Sequence, residues 1–273
     1  VVQVVRATES HIEGIAAARR SNGPAHDDSG ADAGYCRYLI ADGHLVVAVD
    51  DGDVLGFGGA IDVGDARLLS DLYVHRDAHG RGVGSALLAA VMDGSSARYT
   101  FASNDPAALP LYTRAGMVAW WPLLALHGRR SALRPALGCE AFDVSVHQAA
   151  EYELVATHTD RSASFRYWAG RTGSRTLAVE RDGRRVAVAA VRMLDDGARI
   201  EHLLAADDDA VDAIAAVAHL LGVESVHLYV PGCRPLTAAL FDRRFVVDDT
   251  SVFMATSLDM VHSMLQVVHP GLG

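Results

Sequence analysis

The chain can be laid over itself, and an internal repeat restricts its fold more than any other feature, because each copy must follow one supersecondary plan. In the first half Asp51-Gly52 precedes two apolar runs, residues 54–63 and 66–74; in the second, Asp182-Gly183 precedes 186–194 and 198–206. The interval from Val54 to Arg67 is 13 residues, as is that from Val186 to Arg199. Downstream, PAALPLYTR (106–114) lies over PLTAALFDR (235–243), with Pro, Leu, an aromatic and Arg in step. Asp-Gly between apolar runs suits the positive φ values of a tight hairpin turn. Each half therefore predicts strands, a helix (82–92 and 208–221), a strand (98–102 and 225–230), a helix (106–115 and 234–243) and closing strands. The fold class expected is α/β (α+β). The competing reading is two unrelated α/β modules that share these positions by chance.

The Gly, Arg and Pro-containing stretch LHGRRSALRPALG (126–138) is a candidate linker. It divides the chain into 1–127, a linker at 128–139, and 140–273. Half of the 273 residues are hydrophobic and about a fifth are charged, as in soluble globular proteins. No apolar run approaches the roughly 20 residues that cross a bilayer; the longest, 210–223, is broken by Asp212 and His219 and reads as a buried helix. The start of the chain lacks a charged region followed by a longer apolar one, so no leader is expected. The three cysteines, Cys36, Cys139 and Cys233, match no metal or redox spacing. The expectation is a cytoplasmic protein with no membrane partner and no metal. A net charge of −10 opposes nucleic acid binding, which needs clustered Lys and Arg, and suits a cationic or amine partner.

The segment that carries chemistry is LLSDLYVHRDAHGRGVGSALLAAVM (68–92), an apolar strand, a short glycine-rich loop and an amphipathic helix. A helix start leaves unpaired N–H groups and the positive end of the helix dipole facing outward. Gly80, Gly82 and Gly84 let the backbone approach a phosphate, and Arg81 adds charge. A P-loop would need Gly-Lys-Ser/Thr, but Gly84 is followed by Ser85-Ala86. A dinucleotide loop would need G-x-G-x-x-G and a later acidic strand end, whereas the spacing is G-x-G-x-G and Asp93 closes a helix. A purely structural glycine turn leaves Arg81 among the glycines unexplained.

The segment resembles the pyrophosphate-binding motif of the GCN5-related N-acetyltransferases (GNAT), Gln/Arg-x-x-Gly-x-Gly/Ala between a strand and a helix. Gly82 and Gly84 fall on its glycines; His79 stands at the Gln/Arg position, a departure from the pattern. The resemblance extends to FASNDPAALPLYTRAGM (101–117), with Asn104, Ala107 or Ala108, Leu111-Tyr112 and Gly116 in the family's order, and it covers most of residues 1–127.

The resemblance implies two tandem folds, each a mixed, mostly antiparallel twisted sheet flanked by helices, with acetyl-CoA as co-substrate. The strand before the loop would splay from its neighbour, and Leu72, Tyr73 and Val74 would bond the pantetheine arm. The cofactor set implied is these three with His79, Gly80, Arg81, Gly82, Val83, Gly84, Ser85, Asn104, Leu111 and Tyr112. A strand N–H near Val74 would hold the thioester carbonyl, and Tyr112 would protonate the departing thiolate. Asp71, sharing a face with Tyr73 by alternation, would deprotonate the amine or bind its ammonium form. His75 is the alternative base. Asp27 and Asp28 lie where family members often contact the acceptor.

The second half reads LLAADDDAVDAIAAV (203–217) at the loop position, and Asp207, Asp208 and Asp209 would repel a pyrophosphate. Phe241 replaces the tyrosine. One working and one degenerate unit resembles the tandem acetyltransferases of actinobacteria, the mycothiol-synthase type, but with the N-terminal unit intact. The activity implied is N-acetyl transfer to a primary amine of a small molecule in a ternary complex. The alternatives are a peptide or protein amine, a longer acyl-CoA, or acyl-CoA binding without turnover. A homodimer is compatible with the sequence.

Overall fold

The computed structural model describes residues 2–23 and 33–272. In the first half come β1 (Gln3–Arg6), α1 (Ile12–Arg20), α2 (Ala33–Asp42), β2 (His44–Asp50), β3 (Asp53–Val63) and β4 (Ala66–Val74). They are followed by α3 (Val83–Val91), β5 (Arg98–Ala102), α4 (Ala108–Arg114) and β6 (Val118–Arg129). The second half repeats the order with β7 (Cys139–Asp143), α5 (Val146–Thr157), α6 (Ser162–Ala169), β8 (Ser174–Arg181), β9 (Arg184–Leu194) and β10 (Gly197–Ala205). It continues through α7 (Asp207–Leu221), β11 (Ser225–Pro231), α8 (Pro235–Asp242) and β12 (Val246–Ala255), and then adds β13 (Leu265–Val267).

The repeat is built as the turns demand. Asp51 and Gly52 sit at φ 49° and 91°, Asp182 and Gly183 at 50° and 77°, the left-handed pair a two-residue hairpin needs. A bulge follows in the fourth strand of each half. Ser70 of β4 and Glu201 of β10 are the extra residues, between Leu69 and Asp71 and between Ile200 and His202.

All strands join one sheet in the order β1-β2-β3-β4-β5-β12-β6-β11-β10-β9-β8-β7, with β13 beside β10. The order is a palindrome of the repeat, because the two halves exchange their closing strands. β12 pairs with β5 (Phe253 opposite Phe101), while β6 pairs with β11 (Leu126 opposite Leu228) and with β12. Position 127 thus lies within a strand held entirely by the other half. Among the described residues, only β4–β5 and β10–β11 are parallel.

One sheet face packs α1, α2, α5 and α6 into a single core that crosses both halves, with Ile15, Tyr35, Leu39, Phe165, Trp168 and Phe253 buried. On the opposite face α3 and α4 pack around Leu87, Leu88 and Tyr112, separately from α7 and its neighbours around Ile214 and Leu240. Among the described residues no helix is long and apolar enough to cross a membrane.

Candidate active site

β4 is held to β5 only at Arg67, Leu68 and Leu69, opposite Arg98, Tyr99 and Thr100. Beyond Leu69 the strands part, at the Ser70 bulge, and the Thr100 hydroxyl closes the last rung by donating to the Leu69 carbonyl at 3.0 Å. The opening is a cavity of about 720 Å³, within the range of small-molecule sites.

One end of the cavity is the start of α3. Gly82 caps the helix at φ 80°, ψ 0°, and Gly80 stands at φ 73°. Both conformations are costly for any residue with a Cβ. No side chain caps the first turn, which holds no acidic residue, and Gly82, Val83, Gly84 and Ser85 all line the cavity. Uncapped N–H groups and the dipole's positive end therefore face the space. Gly84 has ordinary helical geometry; a Cβ there would meet Val74 Cγ2 at 3.5 Å. Its role is closeness to the cavity, not strain.

The wall is β4. Leu72 and Val74 turn toward the α3 side, Asp71 and Tyr73 toward the α1–α2 side, and all four line the cavity. The Val74 carbonyl accepts from Asn22 Nδ2 at 2.9 Å and from His79 Nε2 at 2.9 Å. A carbonyl only accepts, so the His79 proton is on Nε2, and this ring fastens the loop to the strand end. Tyr73 is stacked on Phe57 at 5.4 Å, and the Arg19 guanidinium lies 5.3 Å from its ring centroid.

Tyr112, on α4, closes the far side and is 8 % exposed. Burial first, and then Tyr73, Asp71 and Asp105, push its phenol well above the ordinary tyrosine value. It is a proton donor at neutral pH. Asp71 is equally buried, and beside it the Tyr35 phenol is held protonated by burial and then by the Asp71 charge.

Of the sequence-expected residues, the cavity brings together Asp71, Leu72, Tyr73, Val74, His79, Gly80, Gly82, Val83, Gly84, Ser85, Leu111 and Tyr112. Arg81 is half exposed at the rim, 3.8 Å from Asp50. Asn104 donates to the Thr250 carbonyl of the exchanged strand at 3.1 Å. His75 caps the turn after β4, accepting from the Asp77 N–H at 3.3 Å, and is not among the cavity residues. Asp27 and Asp28 lie outside the described residues. Arg19, Asn22, Thr100, Asp105 and Arg114 line the space without having been singled out in the sequence. Nothing in their local sequence marks them, since each is placed by packing.

The second half differs at each of these points. The first turn of α7 holds Asp207, Asp208 and Asp209; Asp209 is paired to Arg181 at 2.6 Å and Asp207 accepts from Gln266 at 2.8 Å. Phe241, in place of the tyrosine, is 43 % exposed and turned out of the core.

Residues 41–117 match the family model described as an acetyltransferase (GNAT) domain. No curated protein matches the chain. Among solved structures, a protein of Pyrococcus horikoshii described as an acetyltransferase aligns with a TM-score of 0.77 at 15% identity, covering 100% of this chain and 96% of its own. A tandem GNAT protein from the clavulanic acid biosynthesis pathway aligns at 0.63 and 14% identity, over 93% of this chain and 98% of its own. A GCN5-related N-acetyltransferase from Kribbella flavida gives 0.65 and 16% identity, over 93% and 70%. At these identities the structures speak for the fold, that of two GNAT units in one chain.

Proposed function

The chain carries an acetyltransferase (GNAT) domain within a tandem GNAT fold, and from that premise we propose that it has one acyl-CoA-dependent N-acyltransferase site, in its first half. The observation that carries this reading is the contrast between the halves. The first has an uncapped, carboxylate-free helix start and a buried tyrosine on one open cleft; the second has neither. The two copies of the repeat are proposed as 1–127 and 140–273, interlocked by exchanged strands and joined by 128–139, which takes in the last two residues of β6 and the first of β7.

In this reading the pyrophosphate of acetyl-CoA lies on the N–H groups of residues 82–85, and the pantetheine arm runs along Leu72, Tyr73 and Val74. Asp71, on the opposite face of β4, receives the proton of the incoming ammonium group, so that a neutral amine meets the thioester. A β4 N–H near Val74 stabilises the oxyanion as the C–N bond forms. Tyr112 gives its proton to the sulfur as the C–S bond breaks, and the phenolate takes back the second proton of the attacking nitrogen, which leaves a neutral amide and a free thiol. Burial keeps the phenol protonated at neutral pH, and a thiolate expelled into the same desolvated space becomes a stronger base as well. The acceptor is proposed as a primary amine of a small molecule.

The test is a melting-temperature shift. At a hundredfold excess over its dissociation constant, acetyl-CoA should add about 2.7 kcal/mol, or roughly 5–10 °C for a chain of this size. Gly82→Asp and Gly84→Asp, which place a carboxylate on the anion site, should abolish the shift. A shift that survives both changes removes the site.

A further inference from the structure

We infer that residues 264–272 act as an internal ligand: they fill, in the second half, the cleft that the first half keeps open, and they make Tyr35 a positioning residue for Asp71. The occupied cleft follows from geometry alone; the consequence for turnover rests on the acyltransfer reading above.

β10 leaves β11 after Ile200, opposite Leu228, and bulges at Glu201, as β4 leaves β5 after Leu69 and bulges at Ser70. Into that second gap the chain inserts β13. Leu203 lies opposite Val267 and Leu204 opposite Leu265. The Ala205 N–H donates to the Met264 carbonyl at 2.9 Å, and the Val268 N–H donates to the Tyr229 carbonyl of β11 at 3.0 Å. The segment is thus bonded to both lips of the cleft, as an added strand would be. Gln266, Val267 and Val268 have no exposed surface. The Gln266 amide donates to the Ala205 carbonyl at 3.2 Å and to Asp207 at 2.8 Å, so a neutral donor stands over the start of α7 where the first half has open N–H groups. Two of the three aspartates there are thus held by the chain's own residues, Asp207 by Gln266 and Asp209 by Arg181, while Asp208 is exposed.

The segment then runs into the core shared by both halves. His269 Nε2 lies 3.7 Å from Glu201, which Arg192 (2.9 Å) and Arg171 (3.5 Å) also hold. Arg161, buried beside Glu153, donates to the Leu272 carbonyl. At the far end the Tyr35 hydroxyl lies 3.2 Å from the Gly271 carbonyl and also faces the Ser70 hydroxyl and the Asp71 carboxylate. Residues 264–272 thus run from the closed cleft to Tyr35, beside the acceptor face of the open one. Tyr35, carried on α2, is thereby fixed between the Gly271 carbonyl and the Asp71 carboxylate, and its hydroxyl orients that carboxylate for the amine.

Two variants of the whole chain test this. Gln266→Ala/His269→Ala loosens the segment, with Gln266→Ala alone as a milder form should the pair fold poorly; Tyr35→Phe keeps the ring and removes the hydroxyl. In hydrogen–deuterium exchange of the loosened variant, amides at 203–205 should exchange faster, together with those of 33–42 and 70–73. Both variants should lose about tenfold to a hundredfold in kcat/KM for the amine, the range of one hydrogen bond to a charged group, while the acetyl-CoA dissociation constant stays within about twofold. Faster exchange confined to 203–205, or Tyr35→Phe with wild-type amine kinetics, overturns the positioning role. Unchanged exchange at 203–205 overturns the internal ligand. A wild-type protein that neither binds nor turns over acetyl-CoA removes the acyltransfer reading instead, and the exchange coupling still decides the strap.

Discussion

Adding one methyl group at Gly56 probes how β3 holds the strand that lines the cleft. Gly56 lies opposite Val74, and a Cβ built on it would stand 2.5 Å from the Tyr73 carbonyl oxygen and 3.0 Å from the Val74 Cα. Both obstacles are backbone and cannot rotate aside, so Gly56→Ala must push β4 outward at Tyr73 and Val74. Overpacking of this kind costs about 1–3 kcal/mol, against the roughly 0.5 kcal/mol that alanine gains over glycine in a strand. At about 2–4 °C per kcal/mol the net cost should lower the melting temperature by roughly 1–10 °C. The acetyl-CoA shift should shrink further, because the displaced residues are those that meet the pantetheine arm. Gly58, two residues along the same strand, supplies the control. Its Cβ would meet Val91, Leu72 and Val46 side chains at 3.4–3.5 Å, ordinary contact distances. Gly58→Ala should be neutral or stabilising by about 0.5 kcal/mol, with the ligand shift intact. Differential scanning fluorimetry with and without acetyl-CoA reads both. A Gly56→Ala protein as stable as wild type, with a full ligand shift, would refute the argument that close β3–β4 approach shapes the site.

Further outcomes are expected. Tyr112→Phe should lower kcat by about 10²-fold or more while the acetyl-CoA dissociation constant barely moves; equal losses in both would reject its role as acid. Glu153 and His202 form a buried pair at 2.7 Å. Burial pushes the carboxyl up, but His202 and then Arg161 outweigh it and leave the group below its ordinary value. A depressed folded value stabilises above the unfolded pKa of about 4.3 and is lost as pH falls through the folded value. Glu153→Gln should therefore cost about 3–5 kcal/mol at neutral pH and flatten the loss of stability below about pH 4.3 in urea titrations. An unchanged acid limb would contradict this. Finally, a fragment ending at residue 129 leaves β5 without β12 and β6 without β11, so it should not form a folded monomer by sedimentation and circular dichroism. A stable, monomeric fragment would show that the exchanged strands are dispensable.

Local signals read well from the sequence because their causes are local. The two Asp-Gly turns, the helix starting at Val83 after Gly82, and the paired strands and helices of each half follow from φ preferences and apolar periodicity within a few residues. The strand exchange does not, since β6 and β12 have equally good pairing partners in either half and only the assembled sheet selects between them. Asn104 illustrates the consequence: its partner, Thr250, lies 146 residues away on the exchanged strand. Arg81 was expected to add charge to the phosphate site from its place in the loop, but its ion partner is Asp50, on β2. Tyr35 and Gly271 are 236 residues apart and carry no motif. The count of carboxylates at 207–209 showed that the second unit differs; that its cleft holds residues 265–267 was not legible, because three apolar and polar residues near the end of the chain match no pattern.

The claim of one acyl-CoA site per chain is tested most directly by isothermal titration of the purified protein with acetyl-CoA. The expected result is a stoichiometry of one, lost in Gly84→Asp and retained when Gln266→Ala loosens the second cleft. A stoichiometry of two, or binding that survives Gly84→Asp, would contradict it.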